Sequence, residues 1–328
     1  MKVGIYDEVS EDNATRMENP PELSLVVPCY NEEESVGIFY KEACMILEKM
    51  NLKNRAEFVF VDDGSSDKTL EEIKNLRKKD TRVHFVSFSR NFGKESALYA
   101  GLLKARGTYT ATLDADLQDP PSLIPVMLDA VKKGGFDCAA TRRSTRKNEP
   151  KIRSFFAKKF YKIMKNLSNV DVVDGARDFR VMSEKYKNAV LSLKEKNRFS
   201  KGIFPWVGFN TKWFSYENIK RTAGKTKWSF WSLFVYSLDG IIGFSTKPLV
   251  LAALLGILSV FISFIFLMFI IIRRIFWGDK VQGWASMVCI MIFVAGLQLS
   301  VIGIMGLYIS RIYTEVKSRP IFIVREEE

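Results

Sequence analysis

Histidine is nearly absent from this chain of 328 residues, and that scarcity is the first constraint on its chemistry. The single copy, His84, lies inside the β-like run Val83–Ser87 and reads as structural, so any general base is expected to be a carboxylate. Cysteine is also sparse. Cys29, Cys44, Cys138 and Cys289 form no CxxC pair, which argues against a disulfide framework or a structural zinc site. No GxGxxG follows the first predicted strand, and no GxxxxGK followed by Ser or Thr occurs anywhere. Phosphate binding by a glycine-rich loop is therefore disfavoured. The polar, acidic stretch Met1–Glu22 has no apolar h-region and is expected to be a loose arm rather than a secretory signal.

Charge itself is missing from two long runs, Pro248–Ile272 and Val281–Ser310. Each exceeds the roughly 20 residues needed to cross the hydrocarbon core of a bilayer. The short connection Arg273–Lys280 implies a helical hairpin, with the N-terminal part and the C-terminal tail on one side. The tail carries Arg311, Lys317, Arg319 and Arg325, and with no signal peptide that side is expected to be the cytoplasm. Arg273 and Arg274, in the predicted outer loop, run against this charge bias.

What the chain does have is basic charge, +12 formally with a pI of about 9.4. That balance favours anionic partners: phosphates, nucleic acid or an anionic membrane. No nucleic-acid-binding motif is present, and the two spans account for the basic character better, so no nucleic-acid partner is expected.

Before the spans, short β-rich runs alternate with helical ones. The strands are read at Leu23–Pro28, Glu57–Val61, Val83–Ser87, Tyr109–Leu113 and Asp137–Thr141. The helices are read at Glu33–Met50, Asp67–Lys79, Lys94–Arg106 and Ser122–Lys133. Asp67 reads as an N-cap, with Leu70, Ile73 and Leu76 on one helix face. This order predicts an α/β fold with a mostly parallel sheet, whose ligands bind beyond the carboxyl ends of the strands.

Polar clusters fall at those ends: Pro28–Glu34, Asp62–Asp67, Ser89–Lys94 and Asp114–Asp119. Asp114 and Asp116, one residue apart at a strand end, can point the same way. Their hard oxygens suit Mg2+ or Mn2+ bridged to substrate phosphates.

Taken together, Pro28–Glu34, Asp62–Asp67, Arg90–Lys94 and Asp114–Gln118 resemble the successive motifs of inverting family 2 glycosyltransferases of the Rossmann-like GT-A fold. The nearer likeness is to polyisoprenyl-phosphate glycosyltransferases, the dolichyl-phosphate mannose synthases and bactoprenol glucosyltransferases. It covers roughly Leu23 to Ser318. The resemblance implies that Pro28, Tyr30, Glu32, Asp62 and Asp63 hold the base and ribose, with Arg90 near the phosphates. It implies that Asp114, Asp116 and Gln118 bind the metal and the donor diphosphate, with Asp116 counted among the catalytic residues. Asp178 matches the family's proposed base position, and Arg180 follows it toward the acceptor. Because a phosphate acceptor is already ionised near pH 7, Asp178 is expected to orient it more than to deprotonate it. Arg142 and Arg153 match acceptor-phosphate positions, where a guanidinium can engage phosphate oxygens bidentately. A serine that some relatives carry shortly after the second arginine is Ala157 here. Arg221, Lys225 and Lys227 resemble the family's basic loop over the donor phosphates.

Two amphipathic segments are expected at the membrane surface. One carries Ile152, Phe155, Phe156, Phe160, Ile163, Met164 and Leu167 at helical spacing, with lysines between. The other, Trp228–Phe244, does the same with Trp228, Trp231, Phe234, Leu238 and Ile241. The expected layout is an arm over residues 1–22 and a catalytic domain over 23–227. A juxtamembrane segment at 228–247, spans at 248–272 and 281–310, and a cytoplasmic tail at 311–328 follow. The expected activity is inverting transfer of a sugar from a nucleotide diphosphate, UDP-glucose first, to undecaprenyl phosphate at the cytoplasmic membrane for envelope glycosylation. UDP-N-acetylglucosamine, UDP-galactose and GDP-mannose are the alternative donors. A processive polysaccharide synthase is disfavoured by too few spans and no Gln-x-x-Arg-Trp motif. A non-catalytic membrane scaffold is disfavoured by intact Asp114, Asp116 and Asp178. The resemblance also admits a homo-oligomer and a flippase partner.

Overall fold

Leu23–Cys29 and Ala56–Asp62 are apolar at nearly every position, so neither face of either run can look at water. Both become strands buried along their whole length, as in a parallel sheet covered on two sides. The computed structural model describes residues 20–144, 173–217, 240–277 and 284–328. Its centre is a sheet of eight strands: β1 Leu23–Cys29, β2 Ala56–Asp62, β3 Val83–Phe88, β4 Tyr109–Thr112, β5 Cys138–Arg143, β6 Ala176–Ser183, β7 Thr211–Tyr216 and β8 Val324–Glu327. The spatial order is β7-β5-β6-β4-β1-β2-β3-β8. β1 runs parallel to β2 and β4, as do β2 to β3 and β5 to β7. β6 lies antiparallel between β4 and β5, and β8 closes the other edge antiparallel to β3. The sheet is thus mixed, with the mostly parallel α/β character expected.

Helices α1 Val36–Lys49, α2 Thr69–Lys79 and α4 Ile124–Lys132 cover one face. Phe39, Leu47, Ile73 and Met127 pack there against Leu25, Phe58 and Phe60. Leu70 and Leu76 flank Ile73 as the spacing predicts. Asp67 caps by a small shift: its carboxylate accepts from the Thr69 N–H at 3.0 Å, while the N-cap residue itself is Lys68. Helix α3, Lys94–Lys104, covers the opposite face through Ala97 and Ala100, against Val26, Val59 and Val61. It lies so close that a Cβ on Gly101 would come within 2.3 Å of the Val26 side chain. Helices α5 Glu184–Ser192 and α6 Ser200–Trp206 extend that face with Tyr186, Ile203 and Phe204.

After the domain come α7, Lys247–Trp277, and α8, Trp284–Val316. Within each lies a stretch of 27 residues long and apolar enough to cross a membrane, and its most apolar part is not buried against the rest of the structure. Side chains such as Val260, Phe293 and Leu299 are 70%, 73% and 70% exposed, an apolar surface far beyond what a water-soluble face carries. The Tyr308 hydroxyl donates to the Ser245 carbonyl at 2.6 Å, so the end of α8 lies beside the start of α7, as in a hairpin.

The segment beyond α8 does not hang free. Residues 324–327 enter the central sheet as β8, the Ser89 N–H donates to the Ile323 carbonyl at 3.0 Å, and the Phe322 ring stacks on Phe88 at 4.8 Å. The expected amphipathic helix at 152–167, and all of Trp228–Phe244 up to residue 239, lie outside the described residues.

Candidate active site

The parallel strands all end on one rim, and their loops are sewn to one another. Asn31 donates its N–H to Ser65 Oγ at 2.9 Å and accepts from the Ser66 N–H at 2.8 Å. The Glu32 N–H reaches Thr69 Oγ1 at 2.8 Å, and Glu33 accepts from the Lys68 N–H at 2.9 Å. The β1 and β2 loops are therefore tied directly to each other. Pro28 lies buried near the end of β1, Tyr30 stands 38% exposed on the rim, and Glu32 accepts from the Ser35 hydroxyl at 2.8 Å.

Asp62 and Asp63 are both buried and engaged within the protein. Asp62 accepts from the Ser65 N–H at 3.1 Å and the Ser87 hydroxyl at 2.8 Å. Asp63 accepts from the Phe92 and Gly93 N–H groups at 2.6 and 3.0 Å, tying the β2 loop to the β3 loop. Burial pushes its carboxyl up to about 6, against the pull of those two backbone donors. Gly64 permits this join. Its φ is +65°, and a Cβ there would sit 2.4 Å from the Arg90 carbonyl carbon. Arg90 itself is exposed and lies over the Phe92 ring, 4.2 Å from its centre.

The β4–β6 pairing decides what meets at the centre. Thr112 pairs with Arg180 in antiparallel register. Two residues further along β4's direction lies Asp114, and two residues back on β6 lies Asp178, so they face each other at the rim. Between them is Lys94, the first residue of α3. Its Nζ lies 2.7 Å from Asp114 Oδ1, 2.8 Å from Asp114 Oδ2 and 2.7 Å from Asp178 Oδ2. Burial alone would lower the lysine, but the two carboxylates outweigh it and hold the ammonium well above its ordinary value. Burial likewise would raise Asp178, but Lys94 and then Lys201 hold it far below the usual carboxylate range. Asp178 is thus held toward its anionic form, paired with a cation that the motif reading left without a role.

Asp116 is buried beside them, with an oxygen accepting from the Gln118 N–H at 3.1 Å. Asp119, at the end of the same cluster, is buried and accepts from the Tyr216 hydroxyl, with Arg177 Nε at 3.5 Å. Burial lifts its carboxyl to about 6, with Arg177 opposing. Next to Lys94, Glu95 accepts from the Ser200 N–H at 3.0 Å and fastens α3 to α6. Burial, and then the charge of Asp178, raise the Glu95 carboxyl.

The arginines expected at the acceptor divide. Arg142 is exposed at the end of β5, its Nε–H donating to Ser215 Oγ at 3.0 Å. Arg180 is buried, its guanidinium 3.6 Å from the Phe204 ring centre and donating to the Arg177 carbonyl at 3.1 Å. Arg153, Arg221, Lys225 and Lys227 lie outside the described residues. Sequence reasoning passed over Lys94 and Asp119 although each sits inside a quoted motif, and over Arg177 although it adjoins Asp178. Tyr216, on β7, carried no local signal at all.

Set beside known proteins, residues 24–190 match the profile described as Glycosyl transferase family 2. The chain is 39% identical over 305 residues to the SfII prophage-derived bactoprenol glucosyl transferase of Shigella flexneri, across 93% of this chain and 97% of that protein. It is also 39% identical over 305 residues to an uncharacterized glycosyltransferase of Synechocystis, across 93% and 95% of the two chains. Among solved structures, glucosyl-3-phosphoglycerate synthase from Mycobacterium tuberculosis, crystallised with Mn2+, UDP-glucose and phosphoglyceric acid, aligns with a TM-score of 0.46. The identity there is 17%, over 68% of this chain and 78% of that one.

Proposed function

The chain belongs to glycosyl transferase family 2, and from that premise we propose that it transfers a sugar from a nucleotide diphosphate to a polyisoprenyl phosphate at the cytoplasmic membrane face. The observation that carries this reading is the meeting of Asp114 and Asp178 at Lys94, in a domain joined at its sheet edge to two membrane-length apolar helices. The likeness to a bactoprenol glucosyl transferase supports a lipid-phosphate acceptor and makes UDP-glucose the first donor to try. UDP-N-acetylglucosamine, UDP-galactose and GDP-mannose follow. The pairing of β8 with β3 supports a hairpin that leaves and returns on the domain's side. Nucleotide sugars are made in the cytoplasm, so that side is read as the cytoplasm.

Among the described residues, no three His, Cys, Asp or Glu side chains converge to hold an ion. A site for Mg2+ or Mn2+ does not need three. Such ions are commonly held by one or two carboxylates, with substrate phosphates and water completing the shell. Asp114 already faces a stable cation, the Lys94 ammonium at 2.7 Å, so its oxygens point where positive charge is favoured. Asp114 and Asp116, with Gln118 beside them, fit a divalent ion that comes with a diphosphate. When bound, that ion would offset the charge growing on the leaving nucleoside diphosphate.

The acceptor phosphate is ionised near neutral pH, so its oxygen attacks without a base. Attack forms the bond from that oxygen to the anomeric carbon, while the bond from the anomeric carbon to the donor's β-phosphate oxygen breaks and its electron pair leaves with the nucleoside diphosphate. One displacement inverts the anomeric centre. Asp178, kept anionic by Lys94, orients the acceptor. Tyr30, Glu32 and Arg90 line the donor side, and Arg142 with Arg153 grips the acceptor phosphate. Arg221, Lys225 and Lys227 cover the donor phosphates. The test is a screen of nucleotide sugars against undecaprenyl phosphate in detergent, with the lipid-linked product detected by mass. One donor should give product. Donor turnover that never yields a lipid-linked sugar would refute the reading.

A further inference from the structure

Both oxygens of Asp114 are occupied by Lys94, at 2.7 and 2.8 Å, and the same Nζ holds Asp178 at 2.7 Å. We propose that Lys94 couples entry of the divalent cation to entry of the nucleotide: its ammonium holds Asp114 against a free cation and yields it when diphosphate charge arrives. This rests on the reading of Asp114 and Asp116 as the metal-binding pair.

The root of Lys94 is fixed by the backbone, and its tip is held by two carboxylates. Gly93 and Phe92, just before it, donate to Asp63, and α3 is pressed against β1 at Gly101. The side chain is 39% exposed on a flexible four-carbon stem, and Asp178 offers it a second anchor. Lys94 can therefore leave Asp114 without losing its partner. A metal ion would take Asp114 oxygens as ligands, and the ammonium already lies 2.7 and 2.8 Å from the two of them, so the two cations compete.

The charges around Lys94 support the order of events. Its ammonium lies between Asp114 and Asp178, and the charges of Lys201 and Arg180 also act on Asp178. A nucleoside diphosphate brings at least two further negative charges, which compete with Asp114 for the Lys94 ammonium.

The test is Mn2+ binding to the full chain in detergent, followed by the electron paramagnetic resonance of the free ion, with and without UDP. Lys94→Met combined with Asp178→Asn removes one charge of each sign, so any gain in affinity is not a change in net charge. Without UDP, this variant should bind Mn2+ roughly 10- to 150-fold more tightly than the wild type, the range of one lost charge-assisted hydrogen bond. The enhancement by UDP should shrink by the same factor, as linkage requires. Lys94→Gln combined with Asp178→Asn, which keeps a donor at residue 94 and the same net charge, carries the same prediction should the first double variant fail to fold. If UDP-free affinity is unchanged while Asp116→Asn abolishes UDP-dependent binding, the coupling is refuted and the metal site stands. If Asp116→Asn leaves UDP-dependent Mn2+ binding intact, the metal assignment falls, and the coupling with it.

Discussion

Replacing Phe322 by Ala should loosen the join between the membrane hairpin and the active-site rim. Phe322 is 7% exposed, stacks on Phe88 at 4.8 Å and meets Tyr99 edge-on at 6.5 Å. Truncating a buried Phe to Ala costs about 3–5 kcal/mol, and a position near the chain's end belongs at the lower figure, about 3 kcal/mol. The ion pairs on the strap, Lys74–Glu326, Arg77–Glu328 and Lys104–Glu327, lie at 2.7, 3.1 and 3.0 Å on partly exposed side chains. Such pairs contribute about 0–1 kcal/mol each and do not replace the ring. The reporters are two amides: Ser89, donating to Ile323, and Phe85, donating to Glu328, each at 3.0 Å. At 1.4 kcal/mol per tenfold, the loss predicts hydrogen exchange about a hundredfold faster at both, if they open with the strap. The sugar-transfer rate should fall as well, because Ser89 starts the loop that ends on Lys94. Unchanged exchange at Ser89 and Phe85 in a folded Phe322→Ala protein would refute the reasoning.

Three further outcomes follow from the rim. The Asp63 carboxyl sits at about 6 against an ordinary 3.8, so the folded protein binds more protons than the unfolded chain in that interval. This group therefore costs stability as pH rises from about 4 to 6, amounting to about 2–3 kcal/mol above that window. Asp63→Asn, which can still accept from Phe92 and Gly93, should melt no lower than the wild type near pH 7, with the difference between the two melting curves growing across that interval. Gly64→Ala places a Cβ 2.4 Å from Arg90's backbone at a φ of +65°, and should lower both the melting temperature and UDP affinity measured by calorimetry. Arg142→Ala should weaken use of lipid phosphate roughly 10- to 150-fold, for a charged hydrogen bond of about 1.5–3 kcal/mol, while UDP affinity measured by calorimetry stays near that of the wild type.

The first five strands and first four helices were readable because each presents a continuous buried run or a helical period to a two-sided core. β1 and β2 are buried at every position, and α2 shows Leu70, Ile73 and Leu76 on one face. The later strands were not. β6 carries Arg177, Asp178 and Arg180 within a sheet, because one of its ends builds the site rather than the core. β7 is an edge strand and only partly buried. β8, with sequence VREE, is charged because it pairs with β3 beneath Lys74, Arg77 and Lys104, partners hundreds of residues away. The motifs located the rim, but not its internal bonding. Lys94 takes its meaning from the register of Thr112 with Arg180, and Tyr216 reaches Asp119 across 97 residues.

Transfer of labelled glucose from UDP-glucose to undecaprenyl phosphate by wild-type and Asp116→Asn proteins, each with and without EDTA, tests the central claim most directly. The account predicts a lipid-linked product from the wild type, its loss with EDTA and its return with Mg2+ or Mn2+. It predicts almost none from a folded Asp116→Asn protein under any condition. Equal product from both proteins, or full activity in EDTA, would contradict it.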